Sequence, residues 1–140
     1  MEEFSKFEEG DNTENFLDIF DKIIILNNPS CINEISKYFY DDTEYDWVMQ
    51  SMVHGLEHFP SDIYVPEMIK NIPFMINRAP DWLSSIFNRI FNNPDYVFIF
   101  KKNISLIKKE QMLKFLNLIE IKYPNHINLC SELAERLTCD

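Results

Sequence analysis

The stretch Ala79-Pro80-Asp81-Trp82-Leu83-Ser84-Ser85-Ile86-Phe87-Asn88-Arg89-Ile90-Phe91-Asn92-Asn93-Pro94 decides the fold class. Its apolar residues Trp82, Leu83, Ile86, Ile90 and Phe91 recur at the i, i+3, i+4 spacing of one face of an α-helix. A half-buried strand would alternate every second residue, and this segment does not. Pro80 stands where the first helical turn tolerates proline, because the missing N–H would have no intrahelical partner there. Asn92-Asn93-Pro94 ends the run and starts the next.

The same grammar extends outward in both directions. Upstream, Val65-Pro66-Glu67-Met68-Ile69-Lys70-Asn71-Ile72-Pro73-Phe74-Met75-Ile76-Asn77 places Pro66 in a tolerated first-turn position and Pro73 where an interior hydrogen bond belongs, so a kink or split is expected at Pro73. Before it, a helix opens near Asp42-Thr43, runs to Pro60 and carries Trp47, Val48, Met52, Val53, Leu56 and Phe59. Another begins at Ser30, with Glu34 as its capping partner, and turns Ile32, Ile35, Tyr38 and Phe39 inward. The first follows Asp11-Asn12-Thr13 and uses Phe16, Leu17, Ile19, Phe20, Ile23, Ile24 and Leu26 until Asn27-Asn28-Pro29. Downstream, Tyr96-Val97-Phe98-Ile99-Phe100 has the composition of a short strand, yet no second strand is at hand to pair with it. Two helices close the chain, Leu106 to Lys122 with Met112, Phe115, Leu116 and Ile119 inward, and Pro124 to Leu137 with Ile127, Cys130, Leu133 and Leu137. The expectation is an all-α fold of about eight short helices in stacked antiparallel hairpins, either a short HEAT-like solenoid or an irregular bundle. One domain over residues 1–140, with 1–10 as a flexible lead-in, fits the length.

Composition removes several classes of function. Of 140 residues, 46% are hydrophobic, enough for a sizeable core. Only two glycines occur, Gly10 and Gly55, so a glycine-rich phosphate loop cannot be built. Cys31, Cys130 and Cys139 are odd in number and irregularly spaced, which proposes neither a disulfide framework nor a zinc knuckle. The N-terminus lacks a basic segment followed by an apolar one, and no apolar run is long enough to span a membrane. The net charge of −10 disfavours nucleic acid and anionic membranes as partners. It is also uneven: residues 1–70 hold 16 acidic and 4 basic residues, residues 71–140 hold 7 and 9.

Several constellations stand out against that background. His54-Gly55-Leu56-Glu57-His58 matches the inverted zinc-peptidase pattern, in which two histidines on one helical face hold zinc and Glu57 acts as base. Glu110, Glu120 or Glu132 would have to supply a further ligand, and nothing selects among them; two histidines beside a helix end is the plainer reading, so no metal or cofactor is expected. Glu14, Asp18 and Asp21 form one helical stripe, and Asp41, Asp42, Glu44 and Asp46 crowd a connection; both are candidate surfaces for a cationic protein. Trp47 and Trp82 read as core anchors amid apolar neighbours, with Trp47 also retained as a candidate interface aromatic. Lys101, Lys102, Lys108 and Lys109 read as solvated lysines, and His126 as a surface residue.

Two of these stretches together carry a resemblance. Val53-His54-Gly55-Leu56-Glu57-His58-Phe59, followed by Arg78-Ala79-Pro80-Asp81-Trp82 and its continuation to Asn92, resembles the immunity-protein-30 family of bacterial polymorphic-toxin and contact-dependent-inhibition systems. The family pattern is a helix with hydrophobic-His-x-x-Glu, then an Ala-Pro-acid-Trp helix ending in Arg-hydrophobic-hydrophobic-Asn, and the likeness spans roughly residues 45–120. It implies a small, all-helical, cytoplasmic antitoxin without catalysis, which binds the toxin domain encoded beside it. Toxins of such systems are commonly nucleases with basic surfaces, which an acidic inhibitor would suit. The resemblance makes His54, Glu57, Pro80, Trp82, Arg89 and Asn92 structural positions, with Glu57 or His54 meeting Arg89 or the Asn92 cap. A helical scaffold or adaptor for another protein is the alternative, and a zinc-dependent hydrolase using His54, Glu57 and His58 a more distant one.

Overall fold

A computed structural model describes residues 30–39, 41 and 46–138, together with residues 18, 22 and 28. Among the described residues there are eight α-helices and no strand: α1 (Ser30–Ser36), α2 (Asp46–Leu56), α3 (Ser61–Lys70), α4 (Ile72–Arg78), α5 (Pro80–Phe91), α6 (Pro94–Lys102), α7 (Lys109–Lys122) and α8 (Ile127–Thr138). Short 3-10 turns precede α7 and α8. Asp18 and Lys22 are helical and exposed. Glu14, Asp21, Asp42 and Glu44, with most of the helix expected over 14–26, lie outside the described residues. No helix among the described residues is long and apolar enough to cross a membrane.

Local chemistry explains where the elements start and stop. Asn28, rather than a Ser30–Glu34 box, caps α1: its Oδ1 accepts the Ser30 N–H at 3.1 Å and the Ser30 hydroxyl at 2.9 Å. Glu34 instead pairs with Lys37 at 3.1 Å on the exposed face. The break in the fourth sequence segment falls at Asn71, two residues ahead of the expected break at Pro73, so Pro73 sits in the first turn of α4 and forfeits no helical bond. Pro66 is the opposite case. Helix α3 begins at Ser61, because the Pro60 carbonyl accepts the N–H groups of Ile63 and Tyr64, and this leaves Pro66 inside the helix. Burial of Tyr64, Val65, Met68 and Ile69 offsets that lost bond.

The strand-like run 96–100 is helical. Pro94 opens α6, the Asn93 side chain accepts the Asp95 N–H at 3.0 Å, and Tyr96 and Phe100 fall on one face, where they meet Tyr64 and the phenylalanines of α5. Capping and packing thereby overrule β propensity. Phe98 faces outward, 61% exposed, with the Lys102 ammonium 4.1 Å from its ring centroid.

Buried apolar residues from Ile32 to Leu133 form one contiguous cluster. Its densest part is aromatic: Phe87 meets Phe115 at 4.7 Å and Phe100 at 5.8 Å, and Phe91 meets Phe100 at 5.0 Å, all edge-on. Each such pair adds about 0.5–1.5 kcal/mol beyond its buried area. Helices α4–α5 and α7–α8 pack as sequential pairs, but α3 packs most extensively on α6, three helices further along the chain. That contact brings together the two helices that flank the α4–α5 pair in the chain. Helix α5 is central, contacting α4, α6 and α7.

Candidate functional site

Helix α5 is gripped at both ends by acidic residues from the N-terminal half. At its C-terminal end, Arg89 donates through Nε to Glu57 Oε2 at 2.7 Å and through Nη2 to Glu57 Oε1 at 2.8 Å. This two-pronged geometry is the strongest a guanidinium and a carboxylate can adopt. His54 Nδ1 lies 3.7 Å from Glu57 Oε1, one helical turn back on α2. A cleft of about 400 Å³ opens here, lined by Glu57, Arg89, Asn92, Asn93 and Tyr96. Behind its wall lies Tyr64, fully buried, its ring edge-on to Tyr96 at 6.0 Å. The Tyr64 hydroxyl has no hydrogen-bond partner among the described residues. Burial, then the Glu57 charge, push this phenol far above the ordinary tyrosine range.

At the N-terminal end the helix lacks a capping side chain of its own, since Ala79 occupies that position. Asp41 supplies one from forty residues earlier. Its Oδ2 accepts the Asp81 N–H at 2.8 Å and its Oδ1 the Trp82 N–H at 3.1 Å, placing a carboxylate on the positive end of the helix dipole. Neighbouring contacts secure the junction: Arg78 Nε donates to the Phe39 carbonyl at 3.0 Å, and Lys122 of α7 pairs with the Asp81 carboxylate. Trp82 is buried and leans on Phe39 at 6.0 Å, as its apolar neighbours suggested. Pro80 opens α5 and borders a shallow apolar groove with Ile76 and Ile121.

Of the candidate binding acids, Asp18 and Asp46 are exposed, whereas Asp41 is committed to the helix cap. Trp47 is 51% exposed, which corrects its reading as a core anchor: Val48, Met49, Met52 and Val53 form the buried face of α2, and Trp47 falls beside it on the first turn with Asp46. His126 is corrected in the other direction. It is 6% exposed, its Nε2 lies 2.8 Å from Asn88 Oδ1, and its ring is edge-on to Phe91 at 5.6 Å. Burial holds its pKa below the ordinary histidine value. Nothing in the local sequence around Pro124 signals this, because the partners lie on α5. Lys101 pairs with Glu132 of α8 at 2.6 Å, tying α6 to the last helix. Burial raises the Cys130 thiol to about 11, so this cysteine is a packing residue and not a nucleophile.

The zinc-like pattern resolves on the same geometry. Both oxygens of Glu57 are held by Arg89, and His58 is exposed at the turn after α2. Among the described residues, no group of three His, Cys, Asp or Glu side chains comes together to hold a metal ion. The expected meeting of Glu57 with Arg89 is what the two helices make, while α5 ends with the Asn92 N–H on the Asn88 carbonyl and the Asn93 N–H on the Ile90 carbonyl.

No curated protein and no solved structure matches the chain significantly. The profile of the immunity protein 30 family matches residues 3–100. The match reaches further toward the N-terminus than the two motifs and stops within α6. With most of its length matched, including both motif helices and the Glu57–Arg89 clasp they form, the chain belongs to the immunity protein 30 family.

Proposed function

We propose that this protein acts in the cytoplasm as a stoichiometric inhibitor of the toxin domain encoded beside it, without catalysis of its own, and that the toxin is a basic nuclease. Family membership over residues 3–100 carries the reading. The charge distribution supports the nature of the partner: a protein with 16 acidic and 4 basic residues in its first half attracts a cationic surface over several ångströms of solvent. Asp18, Asp46 and Trp47 are exposed and available to such a surface, with the acids setting the encounter rate and the indole the residence time. Glu14, Asp21, Asp42 and Glu44 belong to the same proposed acidic face.

Co-expression with the neighbouring toxin gene tests the reading. A 1:1 complex that survives gel filtration is the expected result, and failure of the two proteins to associate sinks the proposal. The electrostatic part is separable: association that slows as salt is raised supports it, and a rate indifferent to ionic strength rejects it alone.

A further inference from the structure

The cleft at the C-terminal end of α5 combines features that are costly unless used. A buried phenol without a partner is a penalty to folding. The ring that carries this hydroxyl stands edge-on to Tyr96, one of the five residues lining the cleft, at 6.0 Å. Arg89 spends Nε and Nη2 on Glu57 and keeps its remaining N–H groups for other acceptors; its side chain is half exposed. Glu57 cancels the guanidinium charge, leaving little to attract an ion. Asn92 adds an exposed amide and Tyr96 a half-exposed ring with its hydroxyl.

The complement of such a lining is a neutral group that both accepts and donates. We propose that the Glu57–Arg89–Tyr96 cleft is a specificity pocket that receives a carboxamide or peptide amide from a loop of the toxin. The carbonyl oxygen takes the free N–H groups of Arg89, the amide N–H is taken by Asn92 and Tyr96, and Tyr64 gains its missing bond as Tyr96 adjusts. This rests on the inhibitor reading and adds a second contact, distinct in chemistry from the acidic face.

The test is calorimetric titration of the full-length protein and its Tyr64→Phe, Tyr96→Phe and Asn92→Ala variants with the adjacent toxin domain, alongside thermal melts. Each hydroxyl removal is expected to weaken binding about 3- to 10-fold, with the melting temperature of Tyr64→Phe no lower than wild type. Binding within twofold of wild type for both tyrosine variants overturns the pocket while the inhibitor reading stands. Tyr64→Phe melting several degrees lower also overturns it, because the hydroxyl would then serve the fold. Absence of any wild-type complex removes the inhibitor reading and the pocket with it.

Discussion

The two ends of α5 are held by the same kind of residue in different ways. Asp41 at the first turn is matched to the helix dipole, so its carboxylate is stabilised by the backbone itself. Glu57 meets the last turn, the end of a helix dipole that disfavours a carboxylate, and it is held there by two hydrogen bonds from Arg89. One attachment is therefore complete in itself, and the other is a charge pair bordering an open cleft. Acidity in a folded protein is not a single quantity: one acid here is a structural cap, another is half of a clasp, and a third, Asp46, is left to solvent.

That contrast orders the expected effects of substitution. Asp41→Ala removes the acceptor of two N–H groups and should cost about 2 kcal/mol, a drop of about 4–8 °C in the melting temperature followed by far-ultraviolet circular dichroism. If the melt is unchanged, the cap is not a stabilising contact. Breaking the other end should cost less. The Glu57–Arg89 pair is partly solvated, and a double-mutant cycle of Glu57→Ala and Arg89→Ala in urea should return a coupling of about 1 kcal/mol. A coupling larger than the Asp41 effect would invert the comparison. Asp46→Lys should leave stability within about 0.5 kcal/mol and slow toxin association several-fold at low salt, whereas Asp41→Lys should lower the melt first. The smallest effect is expected from His126, which joins Asn88 of α5 to the turn before α8. Its folded-state pKa lies below its unfolded value, so the neutral ring contributes stability that is complete above the unfolded pKa near 6.5 and declines as pH falls through the folded value. His126→Gln should flatten that part of the stability profile between about pH 5 and 7; an unaltered slope would remove His126 from the set of α5 attachments.

The same contrast shows what was legible in the residues. Helical periodicity places the buried faces of α1, α5 and α7 and most of those of α2 and α8, where Trp47 and Ile127 are exposed, because each helix buries one stripe against a common core. It failed where neighbours in sequence were a poor guide to neighbours in space. Trp47 and Trp82 both stand among apolar residues, and a rotation of about 100° per residue put one beside the buried face and the other on it. The Asp41 cap left only an indirect trace, the start of α5 at Ala79-Pro80 with no oxygen to receive its N–H groups. Pro66 was misplaced because the helix start depends on the Pro60 carbonyl, which no side-chain pattern announces. The Glu57–Arg89 contact was reached by likeness to the family's two motifs, since periodicity alone does not pair side chains thirty-two residues apart. Tyr64 was unreadable as an unpartnered hydroxyl, because a lack of partners is a property of the packed state.

The family match ends at residue 100, yet the aromatic core continues beyond it. Phe115 of α7 lies against Phe87 and Phe91, and Cys130 and Leu133 of α8 complete the same interior. A chain cut where the likeness stops would leave the far side of α5 as a wet aromatic surface, sticky toward anything apolar. The matched portion thus depends on the last two helices of this chain to cover the rings of α5.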